Sequence, residues 1–474
     1  MAEEREYDVV VVGGGSTGEN VANRVVKGGL SAVVVEEDLV GGDCSYWACM
    51  PSKALLRPMQ AVAAARRVAG ARQAVSGRID APAVLERRDG FTHHWDDSGQ
   101  ARWLEGAHID LVRGHGRLAG ARRVEVSGPS GSVTLAARQA VALSTGSEPA
   151  LPPVPGLAES EPWTTKSATS AKSRPARLVV LGGGVAGCEL SQAWRSLGSE
   201  VTLVEMSDRL LSIYDPVAGQ LVADSMGEMG IEVRCGVSAE RVTGGRGSPV
   251  TVHLGDGSSV EGDVLLVAAG RRPRTRDLGL DTVGLEPGSW LQVDDSLTVA
   301  GVEGGWLYAA GDLNHRALLT HMGKYQGRIC GDAIVARSQG RLETGSWSRH
   351  RATADHRAVP QVVFTDPEVA AVGLSEARAR EAGLRVRAVD YEIGDVAGAS
   401  LLADGYRGHA RMVVDEERRV VVGVTLVGQD VGELIHAATV AVAGEVPLER
   451  LWHAVPSYPT MSELWLRLLE TYGL

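Results

Sequence analysis

Two glycine-rich strand–turn–helix units of matched spacing, and a change of pattern beyond about residue 345, predict an α/β chain. Its expected parts are two Rossmann-like, doubly wound domains and a C-terminal α+β domain. In the first unit YDVVVV, residues 7–12, reads as a buried parallel strand. Gly13, Gly15 and Gly18 follow as GxGxxG, then a helical stretch to about Lys27, then AVVV (32–35) ending at Glu36. The second unit repeats this order with RLVVL (177–181), Gly182, Gly184 and Gly187, a helix, and VTLV leading to Glu205. In both units the acid lies 18 residues beyond the third glycine. One GxGxxG is weak evidence, because it also describes a plain tight turn. Two complete units in register point to two dinucleotide sites. The glycines let backbone approach a pyrophosphate at a helix N-terminus, and each Glu can accept hydrogen bonds from a ribose.

Between the units, residues 54–69 and 81–105 read as helical, and strands are expected near 109–113, 122–126 and 132–143. LSTGSEPALPPVPG (143–156) and AAGRRPRT (268–275) carry the Pro and Gly density of inter-domain crossovers. They predict a first domain over 1–150 and 268–344, a second over 151–267 and a third over 345–474. In the third, VPQVVFTDPEVAAVG (359–373) and 385–393 read as strands, 410–414 and 419–427 as a hairpin, and 432–443 and 461–470 as helices.

The chain has 474 residues, enough for several cores, and 48 Lys and Arg against 59 Asp and Glu give a charge of −11. No long basic run favours nucleic acid or an anionic membrane. No apolar run approaches the roughly 18 residues of a bilayer span, and the acidic start MAEERE is unlike a secretory signal. A cytoplasmic location is therefore expected. In a reducing compartment a close cysteine pair is more often redox-active or metal-binding than a structural staple.

Such a pair is Cys44 and Cys49 in GGDCSYWACMPSK, residues 41–53. Five residues along a regular helix rise about 7.5 Å, beyond the roughly 4.4–6.8 Å Cα window of a disulfide. The first cysteine must therefore sit in a loop or a distorted helix entry, for which Gly41 and Gly42 provide. Pro51 suits a first helical turn, which places Cys49 near a helix N-terminus, where the dipole and Lys53 favour thiolate. Cys44 is expected to be the more exposed thiol. Two buried cysteines or half a metal site remain alternative readings, although no second Cys or His cluster accompanies them and no metal is expected. Cys188, Cys235 and Cys330 read as small buried hydrophobes. Asp312, after Gly311 in LYAAGD, can hydrogen-bond a polyol or simply make a turn.

These residues together resemble the class I pyridine nucleotide–disulfide oxidoreductases, a family that includes dihydrolipoamide dehydrogenase, glutathione reductase and mercuric reductase. GGDCSYWACMPSK is similar to its redox motif, STGSEP and AAGRRP to its inter-domain motifs, and YAAGD to its flavin ribityl motif. LTHMGKYQGR (319–328) and VVFTDPEVAAVG are similar to the segments that follow. The resemblance covers essentially the whole chain. It implies FAD held by Gly13, Gly15, Gly18, Glu36, Thr145, Gly146, Gly311 and Asp312. It implies NAD(P)H held by Gly182, Gly184, Gly187, Glu205 and Gly270. NADH is favoured because Glu205 repels a 2′-phosphate, although Arg209 lies four residues on. Cys49 is implied as the flavin-proximal, charge-transfer thiol, Cys44 as the interchange thiol, and Lys53 with Glu189 as an ion pair near the reacting ring. The implied enzyme is a homodimer in which the C-terminal segment of one subunit completes the other's site.

One departure bears on the acceptor. The family's disulfide reductases carry His-Pro-Thr-x-x-Glu near the C-terminus; here the residues are Tyr458, Pro459, Thr460, Met461, Ser462 and Glu463. A phenol titrates near about 10 against about 6.5 for imidazole, so it is a poor base at neutral pH but can donate a hydrogen bond. His453 is the nearest imidazole and reads as a surface residue. Mercuric reductases are similar to this chain in the Tyr, but with the sequence closing on LLETYGL neither their C-terminal cysteine pair nor an N-terminal metal-binding domain is expected. The expectation is an NADH-dependent FAD disulfide oxidoreductase acting on a small disulfide or similar small-molecule acceptor, dihydrolipoamide dehydrogenase-like. A quinone reductase (diaphorase), a mercuric reductase-like enzyme and a non-enzymatic flavin-binding subunit stand as alternatives.

Overall fold

The computed structural model describes residues 3–129 and 131–474. The chain divides into two compact units, residues 1–50, 89–150 and 271–356, and residues 51–88, 151–270 and 357–474.

The first unit is built on a seven-stranded sheet. Asp110–Arg113, Ala32–Glu36, Glu3–Val12 and Gly131–Leu143 run parallel in that order, and Leu307–Ala309 joins the far side of Gly131–Leu143 in parallel. His115–Leu118 and Arg123–Gly128 extend the sheet as an antiparallel flap. Runs of valine suit a sheet buried on both faces. Val9, Val11 and Val34 enter one core, and Val10, Val12, Val33 and Val35 the other. The helices Ser16–Lys27 and Thr320–Ser338 pack closely along a glycine seam. A Cβ on Gly323 would lie 2.3 Å from Thr17 Oγ1, one on Gly327 2.6 Å from the Thr17 carbonyl, and one on Gly331 2.8 Å from that of Val21.

The second unit holds a four-stranded parallel sheet in the order Glu232–Cys235, Glu200–Glu205, Arg177–Leu181, Val264–Val267. It also holds a three-stranded antiparallel sheet and a five-stranded antiparallel sheet. The latter runs Pro360–Val363, Glu368–Gly373, Val420–Gly428, His409–Asp415, Val386–Glu392. Ile435–Ala443 and Leu464–Tyr472 contribute to its core with Leu448, Leu464 and Leu468.

Two helix expectations change. The helix expected over 54–69 begins at Cys49 and ends at Arg66, because Pro51 is tolerated in the first turn. The helix expected over 81–105 is two, Ala81–Phe91 and Ser98–Gly106. Between them His93, His94 and Trp95 take φ of 49°, 52° and 61°. The Asp96 carboxylate accepts the Ser98 N–H at 2.8 Å, and an acceptor there starts a new helix rather than continuing the old one.

Candidate active site

The two fingerprints fold alike to the level of single hydrogen bonds. Gly13 and Gly182 have φ of 104° and 109°, and a Cβ on either would meet a backbone carbonyl at 2.4 Å (Ser144) or 2.5 Å (Ala268). A Cβ on Gly18 or Gly187 would fall 1.9 or 1.8 Å from the first glycine's carbonyl. These four positions therefore exclude any larger residue. Gly15 and Gly184 cap the helices Ser16–Lys27 and Val185–Ser196, and neither helix has a side-chain cap. Their first-turn N–H groups are left for a ligand. Glu36 accepts the N–H of Gly14 at 2.7 Å and of Asp38 at 2.8 Å. Glu205 accepts those of Gly183 at 2.5 Å and Ser207 at 2.7 Å. Burial pushes the Glu36 carboxyl up. Arg209 bonds to Asp208 at 3.2 Å and to the Ser212 carbonyl at 3.1 Å.

In the first unit an open cleft runs past Gly15, Glu36, Thr145, Asp312, Cys44 and Thr320. The residues fit a dinucleotide: glycine turn, uncapped helix end and terminal carboxylate stand in one groove, and Ser144 Oγ is buried without a partner beside it. Thr145 Oγ1 donates to the Arg274 carbonyl at 2.9 Å, and the Gly146 carbonyl accepts the Arg274 N–H at 3.1 Å. The flanking strands Ser147–Pro149 and Arg271–Pro273 pair antiparallel. Gly146 and Gly270 turn at φ of 72° and 121°. Gly311 N–H donates to Gln326 Oε1 at 2.8 Å. Asp312 accepts Ser147 Oγ at 2.5 Å, and burial pushes its carboxyl up.

Cys44 of the dithiol lines this cleft. Gly41 and Gly42, at φ of 111° and 63°, open the short helix Gly42–Tyr46 that carries Cys44. Cys49 begins the helix Cys49–Arg66, and both residues are thiols. Both are half-buried. A hydrogen bond to Cys49, then burial, push the Cys44 thiol well above its ordinary range; Thr320 and the Lys324 ammonium oppose this. Thr320 Oγ1 lies 3.1 Å from Cys49 Sγ. The sequence reading missed Thr320, although it opens the LTHMG helix, where a residue facing the dithiol belongs.

In the second unit Lys53 Nζ is 2.7 Å from Glu189 Oε2, whose side chain is 3% exposed. The other carboxylate oxygen accepts the Phe364 N–H at 2.9 Å, and Lys53 lies 4.9 Å above the Phe364 ring. A buried carboxylate with both oxygens satisfied is a fixed charge; removing one partner of such a pair costs about 3–5 kcal/mol. Phe364, in VVFTDPE, was not anticipated either. Tyr458 is 77% exposed and Glu463 is buried. Glu463 Oε1 accepts Arg467 Nη2 at 2.6 Å, while Oε2 is buried without a partner. His453 is exposed. Cys188 and Cys330 are fully buried, and burial pushes both thiols up, as for small core residues. Cys235 is only half-buried. Among the described residues no cluster of three His, Cys, Asp or Glu is placed to hold a metal. No helix of the described residues is long and apolar enough to cross a membrane.

Residues 7–340 match the pyridine nucleotide-disulphide oxidoreductase family, and residues 359–468 match the pyridine nucleotide-disulphide oxidoreductase dimerisation domain. A mercuric reductase of Staphylococcus aureus is 29% identical, over 97% of this chain and 81% of its own length. A dihydrolipoyl dehydrogenase of Chlamydia muridarum is 30% identical, over 97% and 95%. The HOCl-induced flavoprotein disulfide reductase RclA from Escherichia coli shares the fold at a TM-score of 0.83 and 24% identity, covering 98% of this chain and 99% of that one.

Proposed function

The chain belongs to the pyridine nucleotide-disulphide oxidoreductases, a family of FAD-dependent enzymes, and from that premise we propose that it carries electrons from NADH to Cys44 and Cys49 and on to a small disulfide or comparable soft acceptor. The observation that carries this is the dithiol itself. Cys44 lines the cleft that fits a dinucleotide, and Thr320, which lines it too, lies 3.1 Å from Cys49 Sγ.

FAD, when bound, supplies two-electron carriage between a nicotinamide and a disulfide. Gly13, Gly15, Gly18 and Glu36 hold its adenosine and pyrophosphate end, and Thr145, Gly146, Gly311 and Asp312 its ribityl side. Gly182, Gly184, Gly187, Glu205 and Gly270 hold the nicotinamide dinucleotide. NADH is preferred because Glu205 is already anchored as a carboxylate by two backbone N–H groups, while Arg209 is engaged elsewhere. Lys53 and Glu189, in the same unit as the proposed nicotinamide site, hold one ion pair that offers an ordered dipole rather than water to a charge change on the nicotinamide.

Cys49 is the flavin-facing thiol and Cys44 the interchange thiol. Opening their disulfide to a thiol and a thiolate takes two electrons and one proton. That proton stays on Cys44, since the Cys44 thiol is the one pushed up. Cys44 attacks an acceptor only after losing that proton. Tyr458 and Glu463 are assigned to a partner subunit's dithiol. The Tyr458 hydroxyl can donate a hydrogen bond there. Leu401, Val440, Val455 and Tyr458 are each exposed in the single chain, as side chains covered by a second copy would be.

Substituting Cys44→Ser separates the dithiol route from direct transfer to a quinone. Reduction of low-molecular-weight disulfides should fall at least about 100-fold, while turnover of a quinone changes less than about threefold. Disulfide turnover that survives the substitution, or a parent enzyme that reduces quinones alone, overturns the assignment.

A further inference from the structure

Asp43 sits directly before the interchange thiol, and its carboxylate is gripped by two arginines from the inter-domain crossover. Arg271 Nη2 reaches Oδ2 at 3.0 Å, and Arg274 Nη2 reaches Oδ1 at 3.4 Å. All three side chains are about a quarter to a third exposed, which spares the pairs part of the solvent screening of a surface contact. Neither arginine is a loose partner. Arg271 also donates through Nε to Ser147 Oγ at 2.6 Å and through Nη2 to the Ser147 carbonyl at 2.7 Å. Arg274 is pinned through its backbone by Thr145 and Gly146. The Ser147 hydroxyl has one proton. Since its oxygen accepts from Arg271, that proton goes to Asp312, 2.5 Å away. An ordered chain thus runs from Asp312 through Ser147 and Arg271 to Asp43.

The helix carrying Cys44 has five residues and enters through two left-handed glycines, so its own hydrogen bonds hold it weakly. Buried Tyr46, and Trp47 stacked on Trp95 at 5.9 Å, anchor the residues beyond Cys44. Asp43 is the anchor before it. We propose that Asp43, clamped by Arg271 and Arg274, is a positioning residue that holds Cys44 in place against Cys49. The proposal rests on the dithiol assignment above, but it is tested on the thiol itself.

The charged and polar groups acting on Cys44 are Cys49, Thr320 and Lys324, with Asp43 next to it in the chain. A positioning role and a purely electrostatic one predict different signs. Removing the Asp43 charge would ease ionisation of Cys44, whereas unmasking it by removing Arg274 would hinder ionisation. If the clamp holds geometry, both Asp43→Asn and Arg274→Gln release Cys44 from Cys49.

The experiment is iodoacetamide labelling of the reduced, flavin-loaded enzyme between pH 6 and 9, with Cys44 and Cys49 resolved by peptide mass mapping. Both variants should label Cys44 about five- to tenfold faster at neutral pH. The double variant should be no faster than the faster single one, and Arg274→Lys should return the rate toward the parent's. Unchanged labelling, opposite shifts in the two variants, effects that multiply in the double, or loss of flavin in step with the labelling change each overturn the proposal. Failure of the dithiol assignment appears separately, in the Cys44→Ser acceptor panel.

Discussion

Glu19 lies in the fingerprint helix Ser16–Lys27, where burial raises its carboxyl to about 7 from an ordinary 4.5, opposed by the Lys324 ammonium. The raised value has a cost with a definite sign. Below 4.5 the carboxyl is protonated in both folded and unfolded chains and contributes no difference. Between 4.5 and about 7 the unfolded chain gives up its proton first, so stability falls as pH rises, and above about 7 the loss is complete. At about 1.4 kcal/mol per unit the ceiling is about 3 kcal/mol, less whatever solvent remains around the group. Glu19→Gln should therefore leave stability unchanged at pH 4 and raise it at pH 8, as urea midpoints at the two pH values would report. An equal gain at both, or none at pH 8, contradicts the burial account. Cys44 obeys a related logic with a functional readout. Its thiol is pushed up by its neighbour, so a thiol-dependent reaction without an imidazole base should quicken toward alkaline pH.

At the scale of elements, the nucleotide turns were legible because their chemistry is local. A first glycine at φ above 100° and a third whose Cβ would meet a carbonyl leave one residue type possible, and the sequence displays it. The strand 177–181 was read to the residue, and the hairpin 409–428 within one. The break at 92–97 was not, because it depends on three non-glycine residues in left-handed backbone, which composition disfavours. The Asp43 clamp was hidden for another reason: its members lie 228 and 231 positions apart, and single-residue chemistry does not pair them. Thr320 and Phe364 escaped similarly, each meeting its partner through tertiary structure. The second turn carries a prediction of its own. On the nucleotide assignment proposed above, Glu205 takes the place of a 2′-phosphate, so kcat/KM should favour NADH over NADPH by at least about tenfold. Glu205→Ala should narrow that ratio while also weakening the turn, whose Gly183 and Ser207 N–H groups it satisfies. A parent enzyme that prefers NADPH would contradict the assignment.

At the scale of the whole molecule, the dimerisation domain raises the question of where Tyr458 and Glu463 work. Glu463 spends one oxygen on Arg467, and Tyr458 points its phenol to solvent in the isolated chain. A tyrosine 77% exposed beside exposed Val455 and Trp452 has no packing reason to be there in a monomer. If these residues serve a partner's dithiol, a defect in one subunit can be covered by the other. Cys44→Ser lacks the thiol, and a Tyr458→Ala, Glu463→Gln double substitution lacks the partner contribution. Each homodimer then has two broken sites. A hybrid of the two has one broken twice and one intact. Co-refolded in equal amounts, they should yield about half hybrids, so disulfide reduction should recover to about a quarter of the parent rate from two nearly inactive stocks. Recovery should vanish below the concentration at which sedimentation detects the dimer. Activity that merely averages the two stocks places Tyr458 and Glu463 on their own subunit's site or on none.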